Sequence, residues 1–340
     1  MVHTNAHRFA LHCRNGTQSL QPQDGKYKKE VFKMRRRKDN TIIIGIDHGY
    51  GNMKTANCCF PTGIIAYDSE PLFTEKLLVF ENKYYLIGEG HKEFLGNKVL
   101  DQDYYILTLA AIAEELSTAE ITKADVFIAA GLPLTWTAGG KGAFVAYLTK
   151  NPEVEFRYKG QHYHIRIVGA SVYPQGFAAV APAISKMNGI NLICDIGNGT
   201  MNLLYIVNGQ PQANRMFTEK YGTYQCTLMV REQFLQKTQR EIPDAIIEQV
   251  IRTGEAEVAP SDLKLIKSII RSYTDGIFRR LRDHGYDENT MRLIVTGGGG
   301  CLIDHFAPAT KALRKAGRIV RQSDICAAAK GYELMADSVK

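Results

Sequence analysis

The chain has 340 residues, of which 45% are hydrophobic and 23% are charged, and its mean hydropathy is −0.20. This composition excludes a disordered chain, a collagen-like repeat and a polytopic membrane protein, and it suffices for one large or two medium globular domains. The longest uncharged run, residues 167–184, has about the length of a membrane span. Glycines and prolines interrupt it, so we interpret it as a buried crossing segment.

The formal net charge of +7 comes from the N-terminus. Residues 1–40 contain ten Lys or Arg and three Asp or Glu, whereas residues 41–340 contain 32 of each sign. We therefore predict a basic, disordered extension over 1–40 and a neutral body that does not bind DNA directly. The extension lacks an apolar stretch, so we predict neither a secretory signal nor membrane attachment. Seven cysteines without a C-x-x-C pair are typical of reduced thiols in a cytoplasmic protein.

Strand and helix patterns alternate along the body, which is typical of an α/β protein. Polar turns and glycines separate them. In chain order, the patterns predict a strand over 41–46, a helix over 106–116, a strand over 126–129, a hairpin of 154–158 with 163–167, an Ala-rich helix over 176–187, a strand over 191–194, an amphipathic helix over 263–281, a strand over 293–295 and a docked C-terminal helix over 327–339.

Two of these strands end in related turns. The first is followed by Asp47-His48-Gly49-Tyr50-Gly51-Asn52-Met53-Lys54, and the second by Asp195-Ile196-Gly197-Asn198-Gly199-Thr200-Met201-Asn202. The turns share Asp, both glycines and Met in register, at an offset of 148 residues. This is an internal repeat at the scale of a domain. We predict domain I over 41–188, with a C-terminal return over 318–340, and domain II over 189–317.

Each turn places an aspartate where a buried strand leaves the core, beside glycines that let backbone amides approach an anion. One such turn alone is also typical of a hairpin without a ligand. Two in register favour a polyphosphate clamp in which Asp47 and Asp195 hold a hydrated Mg²⁺. Lys54 is placed to reach the phosphates as a point charge.

A third signal is less specific: the strand 293–295 runs through Thr296 into the glycines 297–300. Such a run is either a flexible turn or a helix start against which a nucleotide lies. No GxxxxGK[ST] sequence is present, so the chain is not a P-loop enzyme.

The order of the motifs Asp47-x-Gly-x-Gly-x-x-Lys54, Asp195-x-Gly-x-Gly and Gly297-Gly298-Gly299 resembles the phosphate-1, phosphate-2 and adenosine motifs of the actin, sugar-kinase and heat-shock ATPase superfamily. Within it, Gly131-Leu132-Pro133 and Pro174-Gln175-Gly176 resemble the bacterial plasmid-segregating actin-like ATPases, the ParM family. The resemblance covers residues 41–340. It implies a duplicated, ribonuclease H-like two-domain α/β fold with the nucleotide in the interdomain cleft.

The resemblance also implies roles for the matching residues. Asp47 and Asp195 are expected to hold Mg²⁺, Asp195 through water, and Gln175 to orient the attacking water, which makes these three the predicted catalytic set. Gln175 alternatively caps the following helix. ATP, with GTP as the alternative nucleotide, is expected to contact Gly49, Tyr50, Gly51, Asn52, Lys54, Gly197, Asn198, Gly199, Thr200, Glu219, Lys220, Gly297, Gly298 and Gly299, with Glu219 and Lys220 at the base or ribose.

The function that the resemblance implies is a cytoplasmic ATPase that polymerises with nucleotide and disassembles on hydrolysis. Its filaments are expected to segregate plasmid DNA through an adaptor protein bound to the centromere. Two alternatives of the same fold remain open. A small-molecule kinase needs an aspartate base, whereas this chain has Gln175 at the hinge position, and a non-polymerising scaffold usually carries an amphipathic terminal helix. The pair Cys58-Cys59 has no counterpart in the family.

Overall fold

The computed structural model describes residues 32–72, 75–90, 102–133 and 137–338, with the backbone alone for 137–139. Most of the predicted basic extension, residues 1–31, lies outside this part of the chain. Residues 32–40 are ordered by pairing with the body, because Arg35 and Arg36 lie opposite Ile43 and Ile42 in an antiparallel pair. The predicted body start at residue 41 therefore falls inside a short hairpin.

The chain divides into two compact units. The first takes in the chain up to Leu132, then Thr137–Tyr173, and finally the chain from Cys326 on. The second takes in Pro133–Trp136 and Pro174–Ile325. Among the described residues, no helix is both long enough and apolar enough to cross a membrane.

In the described part of the chain, the first unit consists of a ten-stranded sheet and three helices. Its strands are β1 (Arg35–Arg36), β2 (Ile42–His48), β3 (Asn52–Lys54), β4 (Cys59–Pro61), β5 (Ile64–Tyr67), β6 (Leu77–Phe80), β7 (Lys83–Ile87), β8 (Lys123–Leu132), β9 (Glu153–Tyr158) and β10 (Gln161–Pro174). Their order is β4-β3-β2-β8-β10-β9-β6-β7-β5, with β1 paired to β2. The helices are α1 (Asp103–Ser117), α2 (Thr137–Leu148) and, at the C-terminal end, α9 (Ala327–Ser338).

Strand β2 is buried along its whole length, as expected for a strand covered on both faces. Ile42, Ile44 and Ile46 belong to the core that includes most of α1. Gly45 faces α9 from the other side, where a Cβ would overlap the backbone carbonyl of Ala329. The C-terminal helix thus packs closely on the central strand because that strand has a glycine at the contact.

The second unit is a five-stranded sheet with helices. Its strands are β11 (Ile190–Ile196), β12 (Met201–Val207), β13 (Gln210–Glu219), β14 (Arg292–Thr296) and β15 (Ile319–Arg321), in the order β13-β12-β11-β14-β15. The helices are α3 (Phe177–Val180), α4 (Thr223–Thr238), α5 (Asp244–Thr253), α6 (Pro260–Asp283), α7 (Gly300–Phe306) and α8 (Lys311–Lys315), with 3₁₀ turns at Ala181–Lys186 and Pro308–Thr310.

The two sheets repeat one arrangement. In the first, β2 pairs antiparallel with β3 and parallel with β8, and β4 continues beyond β3. In the second, β11 pairs antiparallel with β12 and parallel with β14, and β13 continues beyond β12. The internal repeat seen in the sequence is therefore a repeat of strand order and direction.

Most predicted elements are confirmed, with longer bounds. The predicted hairpin is β9–β10, whose turn residues Lys159 and Gly160 both have positive φ, as a type I′ turn requires. The predicted single helix over 176–187 is wrong: it is the one-turn α3 followed by a 3₁₀ segment. Pro182 supplies no amide donor, so it cannot continue the hydrogen-bond pattern of the α-helix, which ends at Val180.

Candidate functional site

The first loop joins β2 to β3. Asp47, at the end of the buried strand, lies opposite Lys54 in the hairpin, and His48 lies opposite Met53. The Lys54 Nζ donates to Asp47 Oδ2 at 2.9 Å, with both side chains largely buried. Lys54 and Asp47 thus form an ion pair at the end of the loop where β2 and β3 pair.

The backbone of the first loop is fixed from two sides. The Gly49 amide donates to the Asp47 carbonyl at 2.9 Å, and a Cβ on Gly49 would overlap the Asn52 carbonyl. Thr62 donates its hydroxyl to the Gly49 carbonyl at 2.8 Å and its amide to the Gly51 carbonyl at 3.1 Å. The sequence motif did not reveal Thr62, which lies outside it and has no distinguishing spacing.

Side chains below the first loop hold it against the core. His48 is fully buried, with Nε2 2.8 Å from the Thr108 hydroxyl and its ring edge-on to Phe144. Burial raises the pKa of the Tyr50 phenol well above its usual value, so this side chain is neutral at physiological pH. Tyr50 can therefore offer a hydrogen bond but no charge.

The second loop joins β11 to β12 with the same spacing. Asp195 lies opposite Asn202 and Ile196 opposite Met201, so each aspartate precedes its cross-strand partner by seven residues in both units. The Gly197 amide donates to the Thr200 carbonyl at 2.8 Å, closing the loop. An asparagine stands where the first loop has Lys54, so only the first loop carries a cation at that position.

Helix α4 begins on the second loop. The amides of Thr223 and Tyr224 donate to the carbonyls of Gly197 and Asn198 at 3.0 and 2.9 Å. A Cβ on Gly222 would overlap the Asn198 carbonyl, so glycine is required for this approach. The first amides of the helix, which have no partner inside it, are thereby partly satisfied by the loop.

The glycine run 297–299 packs directly on the second loop. Thr296 lies beside Asp195 in the parallel pair β11–β14. A Cβ on Gly297, whose φ is +81°, would lie 2.5 Å from Asp195 Oδ1. The Gly299 amide donates to the Ile196 carbonyl at 2.9 Å, while a Cβ on Gly298 would meet no atom within 4 Å. Gly298 therefore presents open backbone beside the aspartate.

Gln175 directly precedes Gly176, the residue that lies against Asp195 in the second unit. Gly176, with φ of +78°, stands so close that a Cβ there would lie 3.2 Å from Asp195 Cβ. The short helix α3 takes Gly176 as its N-terminal capping residue. Because the cap is Gly176, the alternative of Gln175 as a helix cap is not favoured.

Glu219, predicted with Lys220 at the base or ribose, is the last residue of β13, and Lys220 follows the strand. Glu219 lies opposite Met201, and its carboxylate accepts from Arg280 Nε at 3.0 Å and lies 2.6 Å from His284 Nε2. Lys220 is exposed. The Arg280 guanidinium lies 3.6 Å from the centre of the Tyr221 ring. Sequence reasoning missed Arg280 and His284, which come from α6 and its end with no motif to mark them.

Within the second unit, the predicted residues Asp195, Gly197–Thr200 and Gly297–Gly299 are therefore neighbours, and Gln175 joins them in sequence through Gly176. Within the first unit, Asp47, Gly49–Asn52 and Lys54 form the other set. Open backbone at Gly298 and the exposed Lys220 fit an anionic ligand such as a nucleotide. Among the described residues no three His, Cys, Asp or Glu form a metal-binding group.

Comparisons with known proteins agree with this geometry. Residues 45–177 match the family model for the N-terminal domain of actin-like proteins. That match begins in β2 and ends just past β10. No sequence among the curated proteins gives a significant match to the chain.

Solved structures share the fold at low identity. An archaeal actin homolog superposes with a TM-score of 0.69 at 18% identity, over 87% of this chain and 99% of that one. The complex of that homolog with ADP superposes with a TM-score of 0.65 at 19% identity, over 87% of this chain and 99% of that one. The ParM protein of Bacillus thuringiensis with ATP superposes with a TM-score of 0.61 at 13% identity, over 88% of this chain and 98% of that one. The Alp12 filament structure superposes with a TM-score of 0.59 at 15% identity, over 86% of this chain and 97% of that one. The predicted actin-like α/β fold and the resemblance to ParM proteins are confirmed.

Proposed function

We propose that this chain is an ATPase that binds one Mg²⁺–ATP through both aspartate-bearing loops and assembles with it into filaments. The observation that carries the proposal is the equal geometry of the loops: each aspartate ends a central strand and precedes its cross-strand partner by seven residues. Two matching loops would contact a polyphosphate from both units, in the cleft that the family resemblance implies. GTP is the alternative nucleotide.

The residues of the second unit support a hydrolytic role. Gln175 is the residue before Gly176, which lies against Asp195. The Gln175 side-chain amide can both donate to and accept from a water without removing its proton. Such a group positions a nucleophile, which is the larger part of what phosphoryl transfer needs from a protein. Asp195 would hold the cation through water, and Mg²⁺, when bound, neutralises charge on the phosphates. Lys54 and Asp47 would act at the same phosphates from the first unit.

Assembly and its purpose are proposed from the relatives. A nucleotide drives assembly only through its higher affinity for the assembling conformation, and a typical coupling is about 1–3 kcal/mol. A solved relative is a filament, and others are ParM proteins. We propose that filaments of this chain segregate plasmid DNA in the cytoplasm through an adaptor protein at the centromere. DNA would then be cargo, in keeping with the neutral body.

The test is an assembly assay in which light scattering, pelleted protein and phosphate release are followed after Mg²⁺–ATP is added. We expect polymer above a critical concentration, followed by phosphate release. A protein that remains monomeric while it phosphorylates a sugar would instead be a small-molecule kinase. One that polymerises without releasing phosphate would not be an ATPase.

Two variants test the catalytic residues in the same assay. Gln175→Ala is expected to polymerise while phosphate release falls about tenfold or more, since one positioned polar group is lost. Asp195→Ala is expected to abolish metal-dependent turnover with the fold intact. Gln236→Ala, an exposed glutamine of α4, is the control and should behave as wild type. Unchanged turnover in Gln175→Ala removes that residue from the mechanism.

A further inference from the structure

Three cysteines that are distant in sequence meet in the first unit. The Cys326 Sγ donates to the Cys58 carbonyl at 3.8 Å, although the two residues are 268 positions apart. That carbonyl belongs to the peptide group that joins Cys58 to Cys59. All three residues carry thiols. The dipeptide Cys58-Cys59, which the proposed function does not use, therefore lies against a third thiol.

Cys59 lies on the face of the sheet that α9 covers. Residues directly opposite each other in paired strands share a face, and so do residues two apart along one strand. Cys59 lies opposite Lys54, and Lys54 lies opposite Asp47. Asp47 is two residues from Gly45, where a Cβ would overlap the backbone of α9. Cys59, Lys54 and Asp47 therefore share the face on which α9 packs, and Cys326 directly precedes that helix.

Cys58 points to the other face of the sheet. Its Sγ donates to the carbonyl of Glu114 in α1 at 3.4 Å. Successive residues of an extended chain point to opposite faces, so the side chains of Cys58 and Cys59 diverge. Cys59 is half-buried and Cys326 is buried. Of the two neighbouring thiols, Cys59 is therefore the one on the same side as Cys326.

The surroundings of both thiols favour reaction. Lys54 is the cross-strand neighbour of Cys59, and the Cβ atoms of such neighbours are about 4.5–5.5 Å apart. The Cys326 carbonyl accepts from the Lys330 amide at 3.0 Å, so Cys326 caps the positive N-terminal end of α9. A cation or a helix N-terminus beside a cysteine favours the thiolate, which is the nucleophilic form.

The cysteines of the second unit lie in a different environment. Cys194, Cys226 and Cys301 are buried. Burial raises the pKa of all three thiols, which keeps them protonated at physiological pH. A buried, protonated thiol is a poor nucleophile. These three residues therefore serve as internal controls, since we expect no oxidation at them.

We propose that Cys59 and Cys326 form a reversible disulfide that weakens nucleotide binding under oxidising conditions. A hydroperoxide is the oxidant: the Cys59 thiolate attacks one peroxide oxygen, the O–O bond breaks, and an alcohol or water leaves. The Cys326 thiolate then attacks the sulfenic sulfur, the S–S bond forms, and hydroxide leaves and takes up a proton to become water. The two thiols thereby lose two electrons and two protons to the peroxide.

The disulfide would act on the first loop through Lys54. An S–S bond is about 2.05 Å long, much shorter than a contact between two separate sulfurs, so β4 must move towards α9. Lys54 pairs with Cys59 of β4 and donates to Asp47 at 2.9 Å. The movement would therefore disturb the ion pair at the phosphates. This consequence rests on the proposed function, whereas the disulfide itself does not.

Peptide mapping tests the disulfide without nucleotide. The Cys13→Ser protein, which lacks the cysteine outside the described residues, is treated with equimolar hydrogen peroxide, digested with trypsin without reductant and analysed by mass spectrometry. We expect a cross-link between peptides 55–76 and 322–330 that dithiothreitol removes. Cys58→Ser, the matched control in the same peptide, should keep the cross-link, and Cys59→Ser should lose it. A link through Cys58, or no cross-link, overturns the proposal.

Nucleotide titration tests the consequence of the disulfide. We expect oxidation of the Cys13→Ser protein to raise the Kd for Mg²⁺–ATP about fivefold or more, the lower end of a typical coupling, and dithiothreitol to restore it. Cys326→Ser, whose hydroxyl can still donate to the Cys58 carbonyl, should have one Kd under both conditions. A mapped Cys59–Cys326 bond with unchanged affinity overturns the control of the nucleotide site. A reduced protein that binds no nucleotide contradicts the proposed function and this control, while the mapped bond would still establish the disulfide.

Discussion

Glu333 is a carboxyl group in the core of the first unit, where α9 packs on β2. Its Oε1 accepts from the Gly45 amide at 3.1 Å, and the side chain is fully buried. Burial raises the pKa of Glu333 to about 8, with nearby Glu115 acting in the same direction and the Gly45 amide, Arg35 and Lys330 against it. The folded protein therefore binds a proton here at pH values where the unfolded chain does not.

Stability should fall as pH rises through this window. Between the ordinary value of 4.5 and about 8, folding takes up a proton, so the free energy of unfolding decreases by at most about 1.4 kcal/mol per pH unit. Glu333→Gln removes the titration and keeps an acceptor for Gly45. We expect the variant to gain about 2–4 kcal/mol relative to wild type between pH 5 and pH 8 in urea unfolding. Parallel pH profiles for the two proteins would contradict the burial of a proton at this site.

Gly176 is a second single residue with a measurable role, because it has positive φ and lies against Asp195. Gly176→Ala should lose about 1–2 kcal/mol of stability from the left-handed backbone and also displace the aspartate, lowering phosphate release. Gly189→Ala is the matched control, since Gly189 has φ of +69° and no atom within 4 Å of a Cβ. It should lose similar stability and keep its turnover. Equal turnover in both variants would show that the Gly176 contact does not position Asp195.

At the scale of the element, helix glycines can be sorted by the space around them. Gly142 in α2 would place a Cβ in open space, whereas a Cβ on Gly276 in α6 would overlap the Tyr221 hydroxyl. Gly142→Ala should therefore stabilise the protein by about 0.5–1 kcal/mol, and Gly276→Ala should destabilise it. Thermal unfolding of both variants measures this. A loss of stability in Gly142→Ala would contradict the open surface of α2.

The same scale shows what a sequence pattern can and cannot predict. Buried strands and the long helix α6 follow from periodicity, because burial of one face selects the residues at each period. The α-helix ends after Val180 because Pro182 interrupts it. The alanines around Pro182 favour a helix by composition, so composition alone predicted that the helix continues. Likewise, Thr62 fixes the backbone of the first loop by hydrogen bonds that no sequence motif predicts.

In the candidate site, some residues could be predicted from local spacing in the sequence, whereas others come together only through long-range packing. Asp47 and Asp195 could be found from their turns, since hairpin register is a local property. The partners of Glu219 could not, because Arg280 and His284 approach it only when α6 packs beside β13, 61 and 65 residues further along the chain. Residues that depend on tertiary packing leave no periodic or motif signal.

At the scale of the whole molecule, the fold is one arrangement of strands used twice, with a central strand ending in an aspartate in each unit. In the proposed function, both copies would act on the same nucleotide. The two copies differ at four of their eight positions, and only the first has a cation at the last one, Lys54 against Asn202. We therefore expect unequal contributions: loss of Lys54 should weaken phosphate binding, while Asn202→Ala should have a smaller effect in nucleotide titration.

Hydrogen exchange measured by mass spectrometry with and without Mg²⁺–ATP tests the shared site most directly. The account predicts slower exchange over both 47–54 and 195–202, with the same half-saturating nucleotide concentration for the two segments and one nucleotide per chain. Protection of one segment alone, different half-saturation for the two, or no protection at saturating nucleotide would contradict it.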